Sequence, residues 1–301
     1  MRAFVTFCLA MLSATGSPAS ARPVEPPPEV ARLLERLDPR SGGIAITQAH
    51  ASLDLGEDYI FYGPQDARSI LIGLWGNHPD EANSALGLVM PAGTTPLSDS
   101  WGAVVTFEQS GWVSNADARE VDPEAVLDAM RQTSADLNAR RRAAGNAGVE
   151  IVGWVAQPRY DSVDHSVVWA RELDFDDADV NTLNYEIRAL GRRGVLSLNV
   201  VSAMPRLAEI REAADALAGR AAFDPGYRYA DYDSATDVAA GYGIAGLVAG
   251  GAGLAVAKNA GAFALLVKVA KPLIVAALIL AGLFFGPLRR LIGRRRVAGQ
   301  T

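Results

Sequence analysis

Four strand-length runs, Val149 to Ala156, Val163 to Leu173, Val180 to Leu190 and Val195 to Ser202, follow one another with only the turn-forming stretches "QPRYD", "DFDDAD" and "GRRG" between them. A parallel crossover needs a dozen or more residues, so connections this short permit only antiparallel neighbours. The expected fold class is therefore α+β: a C-terminal four-stranded antiparallel meander packed with helices. Asp122 as a cap and Pro123 at the first helical position start the clearest helix, which turns Val126, Met130, Thr133 and Leu137 inward and ends at Arg140, Arg141, Arg142 and Gly145. A second helix runs from Pro205 to Leu217 and is closed by Gly219. Upstream, Ile44/Ile46 and Ala51/Leu53/Leu55 alternate as two short strands, and Pro64 opens a helix with Ala67, Ile70, Leu71 and Leu74 on its apolar face. Leu86 to Met90 and Trp101 to Glu108 read as further strands. No internal repeat interrupts this order.

The ends of the chain read differently. Met1-Arg2, an uncharged run from Ala3 to Leu12, and Ala19 and Ala21 in A-x-A spacing have the pattern of a secretory signal over residues 1–21. The single cysteine, Cys8, lies inside that segment, so the exported chain is expected to carry no disulfide, thiolate metal site or cysteine nucleophile. Residues 22–43 read as the stiff linker "RPVEPPP" and a short helix on Val30, Leu33, Leu34 and Leu37. The exported α+β domain is expected over 44–230.

Charge is segregated along the chain. All 34 acidic residues lie between Glu25 and Asp237, a span with arginines but no lysine. After Asp237 the only charges are Lys258, Lys268, Lys271, Arg289, Arg290, Arg294, Arg295 and Arg296. An acidic body argues against nucleic acid as a partner. Residues 269–288 are expected to form a transmembrane anchor, flanked by a basic cytoplasmic tail over 289–301, with the five arginines inside as the positive-inside rule requires. The Gly/Ala-rich stretch 231–268 is expected to be helical and membrane-proximal, with Gly246-x-x-x-Gly250 as a helix-docking face. A second span through it would make a membrane hairpin with a transport-accessory role, but would return the arginines to the outer face. The expected location is the bacterial inner membrane, with the main domain exported to the periplasmic side and the C-terminus in the cytoplasm.

Chemical motifs are weak by comparison. Gly241, Gly243 and Gly246 spell G-x-G-x-x-G, but "YDSATDVAA" before them shows no strand alternation and no acidic residue follows to hold a ribose, so no nucleotide or other cofactor is expected. His50, His78 and His165 are not in H-E-x-x-H spacing and stand as weak metal candidates. "DFDDADVN" at Asp174 to Asn181 resembles a calcium loop but has Ala178 at the third ligand position, no glycine after it and no glutamate at the twelfth; "DYDSATD" is a similar case. Of the five tryptophans, Trp101, Trp154 and Trp169 lie on expected strands and read as core, whereas Trp75 and Trp112 sit beside glycines in loops and are the candidates for a binding surface.

Several stretches together resemble one family. "LWGN" at Leu74, "SWGAVVTFEQSGWVSNADA" at Ser100, "GW" at Gly153, "VVWARELDF" at Val167, "NTLNYEIRALGRRGVLSLN" at Asn181 and "YRYADYDSATDVAAGYGIAGLVAG" at Tyr227 are similar, in order, to the domain of unknown function 2167 family of bacterial membrane-anchored proteins. The resemblance implies a signal peptide, an exported domain and a C-terminal anchor, and implies no activity, cofactor or catalytic residue. The layered sheet is similar by analogy to the Mog1/PsbP-type folds. The leading expectation is an envelope protein that binds a protein partner without catalysis. The alternative is a small-ligand receptor or a metal-assisted hydrolase using His50, His78 or His165.

Overall fold

The computed structural model describes residues 26–77, 79–143 and 147–250. The chain forms two units, one ending at Leu37 and one beginning at Asp38. The described part of the first is a single helix, α1 (Pro28–Arg36), entered through extended Pro27 with proline in its first turn, Glu29 near its N-terminus and Arg36 in its last turn. That order suits the helix dipole at both ends.

The second unit opens with β1 (Gly43–Ile46), β2 (Ala51–Asp54), β3 (Tyr59–Tyr62), α2 (Pro64–Gly73), the single turn α3 (Pro79–Ala82), β4 (Gly87–Pro91), β5 (Gly102–Glu108) and β6 (Trp112–Ser114). A 21-residue helix, α4 (Pro123–Ala143), leads into β7 (Val149–Asp161), β8 (Ser166–Phe175), β9 (Thr182–Leu190) and β10 (Val195–Ala203). Then come α5 (Leu207–Ala218), β11 (Ala221–Phe223), β12 (Ala239–Gly243) and α6 (Ile244–Ala249). As expected, Asp122 caps α4: its Oδ1 accepts the Glu124 and Ala125 N–H groups at 3.0 and 3.3 Å.

The expected four-stranded meander proves to be only part of the sheet. β7 to β10 do pair in sequence, but β10 is a central strand, and the sheet continues through β5 and β4 to β3, seven strands in the order β3-β4-β5-β10-β9-β8-β7. Every pairing in it is antiparallel. The physical reason lies in β10, where Val195, Leu196, Leu198 and Val200 are buried; both of its edges are paired, to β9 and to β5. A transmembrane helix was also part of the expected fold, and this too is corrected. Among the described residues no helix is long and apolar enough to cross a membrane. The segment expected to do so, 269–288, lies outside them, as do the signal segment, the arginine tail and His78.

The two faces of the sheet are unlike. On one, Val105, Ala170, Leu183, Ile187, Leu196 and Leu198 are buried in one apolar cluster with Ile210, Ala214 and Leu217 of α5 and with Leu53 of the small sheet β1-β2-β11. Each of the valine, leucine and isoleucine side chains contributes about 1.5–3 kcal/mol by leaving water. The opposite face is apolar at its two ends: Val167, Leu190 and Val195 join α4 and α6 in a second cluster, and Leu88 and Met90 of β4 are buried at the other end. Its middle is polar, because Arg171, Asn184, Glu186, Arg188, Ser197 and Asn199 alternate with the first set and register against one another across β8, β9 and β10.

The start of the β7 edge, from Val149 to Val152, is closed by side chains of α4. Asn138 both donates to the Val149 carbonyl and accepts from its N–H, each at 2.8 Å, and Ser134 Oγ donates to the same carbonyl at 2.9 Å. Arg131 Nε donates to the Ile151 carbonyl at 3.0 Å. A sheet edge that has spent its backbone groups on side chains is no template for another strand.

Candidate functional site

Where β8 and β9 face α4 and α6, the polar half of the sheet becomes the floor of a groove of about 300 Å³. Glu186, only 4% exposed, sits at the centre. Its Oε2 accepts from Arg188 at 3.0 Å through both Nε and the terminal nitrogen, and its Oε1 accepts from Asn199 and faces Arg171 at 3.8 Å. Arg188 also donates to Ser197 Oγ at 2.8 Å, Arg171 to Asn184, and Asn184 to Asn199 at 3.2 Å. With both oxygens engaged, Glu186 orders the two arginines.

Two donors in this floor have no acceptor: Trp169 Nε1, on a side chain almost wholly buried, and Arg171 Nε. Buried donors are nearly always paired, so these two set the floor apart from the rest of the sheet. Burial pulls the Arg171 pKa below the ordinary guanidinium value, and nearby Arg188 adds to this while Glu186 opposes it. Arg188 also lies over the Trp169 ring, 5.6 Å from its centroid. The walls are apolar, from Met130, Ile151, Leu173 and Val248, and Leu137 stands on the lining with 48% exposure. Leu137, expected inward from helical spacing, is therefore at the surface, because the side of α4 that it shares with Met130 faces the groove there.

Of the candidate site residues singled out from the sequence, Gly250 alone among the described residues lines the groove. Gly246 is buried in α6, and Gly250 caps that helix with a left-handed φ of 127° and lines the groove. The region from Asp231, expected to be helical, instead forms a short turn at Tyr229–Asp231 and the strand β12, which runs parallel to β6. Gly241, with φ +76°, and extended Gly243 explain why no helix forms before Ile244. The strand–glycine–helix order of a dinucleotide loop is thus present, but its helix N-terminus is filled from within. Asp117 accepts from the Ile244 N–H at 2.8 Å and the Ala245 N–H at 3.2 Å.

Trp75 is 37% exposed, yet its Nε1 donates to the Pro96 carbonyl at 2.9 Å and its ring covers Gly102, where an added Cβ would lie 2.5 Å away. Trp112 is stacked between Tyr229 and Tyr232, with centroids at 5.0 and 4.2 Å, and donates to the Tyr229 carbonyl. His165 stacks on Tyr229 at 4.5 Å, and its Nδ1 meets the Tyr160 hydroxyl at 3.0 Å. His50 stacks on Tyr227 at 3.8 Å. Both histidines adopt left-handed backbone at turns, and among the described residues no three His, Cys, Asp or Glu side chains converge as a metal set. Asp176 of the calcium-like stretch accepts from Arg142 and Gly148, and in "DYDSATD" Asp237 is held by Arg192 through two hydrogen bonds of 2.7 and 3.0 Å.

The groove residues were missed because "NTLNYEIRAL" alternates cleanly: Leu183, Tyr185, Ile187 and Ala189 on one face, Asn184, Glu186 and Arg188 on the other. Such a pattern reads as a sheet with one wet face. Only the tertiary cover supplied by α4 and α6 turns that face into a buried floor.

Fold and floor together define an α+β protein built on one seven-stranded antiparallel sheet, with an arginine–glutamate cluster buried on the face away from its main core. A family model described as a protein of unknown function, DUF2167, matches residues 38–283, and the chain belongs to that family. No curated protein matches the chain. Among solved structures, the solution structure of cyanobacterial PsbP (CyanoP) from Synechocystis sp. is similar over 62% of this chain and 92% of that one, at 12% identity and a TM-score of 0.35. A likeness that low carries no argument about this chain.

Proposed function

We propose that the protein is a non-catalytic binding domain of the bacterial cell envelope, exported, and that its partner is a protein that enters the groove between α4 and α6. One observation supports the reading above all others: the groove floor holds two buried donors without acceptors beneath apolar walls. An incoming chain can satisfy those donors while it covers the exposed Leu137. The engaged carboxylate of Glu186 fits this reading better than a catalytic one, since a general base needs a free lone pair within reach of substrate. The reading is tested by crosslinking intact cells, purifying the full-length chain and identifying the proteins that copurify, for the wild type and for Leu137→Arg. A single stoichiometric partner that Leu137→Arg loses is the expected result. A partner retained in full by that variant, or no partner at all, contradicts the proposal.

A further inference from the structure

The floor of the groove has a definite charge as well as unpaired donors. Among its described lining residues are three guanidiniums, Arg141, Arg171 and Arg188, and one carboxylate, Glu186. Arg171 and Arg188 share that single carboxylate, and their side chains are only 18% and 21% exposed. Two buried cations and one anion leave an excess positive charge in a low-dielectric site, which is costly until an anion joins it. This occurs in a body rich in acidic residues, so general surface charge does not explain it.

The donors say where the anion would sit. Trp169 and Arg171 are two residues apart on β8 and therefore share a face, about 7 Å apart along the strand. Trp169 Nε1 and Arg171 Nε are both buried and both lack an acceptor. A carboxylate offers two oxygens, which match the two donors, and a negative charge to set against the excess of guanidiniums. The walls of Met130, Leu137, Leu173 and Val248 call for an apolar stem behind the charged end.

We infer that this floor binds the carboxylate of a ligand with an apolar stem, oriented by Trp169 and Arg171. The inference rests on the reading of the groove as a binding site, and it leaves two sources for the same chemistry: a free organic acid, or the C-terminus of a partner chain.

The test uses the isotope-labelled full-length chain and the indole N–H resonance of Trp169, assigned through Trp169→Phe. The probes are phenylbutyrate against phenylbutyramide, and an acetylated Gly-Phe-Leu peptide with a free against an amidated C-terminus. A saturable shift of the Trp169 resonance is expected with at least one of the two free acids, and binding of its amide at least roughly tenfold weaker. Arg171→Gln is expected to weaken the acid by a similar factor while leaving the other four indole resonances in place, which shows that it has folded. A response to phenylbutyrate alone assigns a small organic acid, and a response to the free-acid peptide alone assigns a chain terminus; either supports the inference. Equal binding of acid and amide, or no shift from either acid, overturns it. Crosslinking in intact cells answers separately whether a protein occupies the groove.

Discussion

Asp117 holds the amide end of the helix that begins at Ile244: its two carboxylate oxygens accept from Ile244 and Ala245 across more than a hundred residues of sequence. Gly243 makes this possible, because a Cβ there would stand 2.3 Å from Asp117 Oδ1. The literal G-x-G-x-x-G of this chain is therefore an anion-binding turn whose anion is the protein's own.

It follows that Asp117→Ala should cost about 0.5–2 kcal/mol, the range for losing a helix cap. Gly243→Ala should be destabilising as well, by forcing that carboxylate away. Urea unfolding of both variants checks this; an unchanged midpoint for either would show that the cap does not hold α6 in place.

Asn138→Leu should be costlier than its volume suggests. It removes the acceptor of the Val149 N–H and one of the two donors to the Val149 carbonyl, Ser134 remaining as the other, and a buried backbone group left unpaired costs about 1–3 kcal/mol. It also reopens the end of the β7 edge, so sedimentation should show concentration-dependent association absent from the wild type. A variant that stays monomeric at normal stability would contradict the edge-capping role.

Glu186→Gln should be among the most damaging single changes on the polar face. Removing one partner of a buried ion cluster typically costs about 3–5 kcal/mol, because the other charges remain buried. If the cluster is held by charge, phenylbutyrate should raise the urea midpoint of this variant more than that of the wild type. Loss of less than about 1 kcal/mol would mean that water already relieves the arginines.

Acid should loosen the loop that Asp237 organises. Hydrogen bonds from Arg192 and then from the Asp233 N–H lower the Asp237 pKa below its ordinary value, so its contribution is present above the unfolded-state pKa and is lost as pH falls through the lowered folded one. The midpoint difference between wild type and Asp237→Asn should thus be full near neutral pH and shrink below about pH 4. A difference independent of pH would mean that the ion pair does not hold the loop.

The sequence reveals most of the local structure. Asp122-Pro123 marks the start of α4, "DFDDAD" and "GRRG" mark the hairpins after β8 and β9, and the alternation in β9 marks its two faces, whereas "QPRYD", expected as a turn, lies inside β7, which runs on to Asp161. The features it conceals depend on distant partners. The pairing of β10 with β5 joins Leu198 to Val105, over ninety positions apart, and no spacing rule announces which earlier strand will take the open edge of a meander. The helix expected around Gly241 fails because β12 finds β6 and because Asp117, far away in sequence, caps a helix that starts only at Ile244. The groove is hidden for the same reason, since a polar strand face looks solvated until a helix is known to cover it.

Whether a protein enters the groove is decided most directly by site-specific photocrosslinking in intact cells, with the photoreactive residue at Leu137 on the groove or at Val163, 84% exposed on the β7–β8 hairpin. A discrete protein adduct from position 137 and none from position 163 is the predicted result. Equal labelling from both positions, or none from Leu137, would contradict the groove as the binding site.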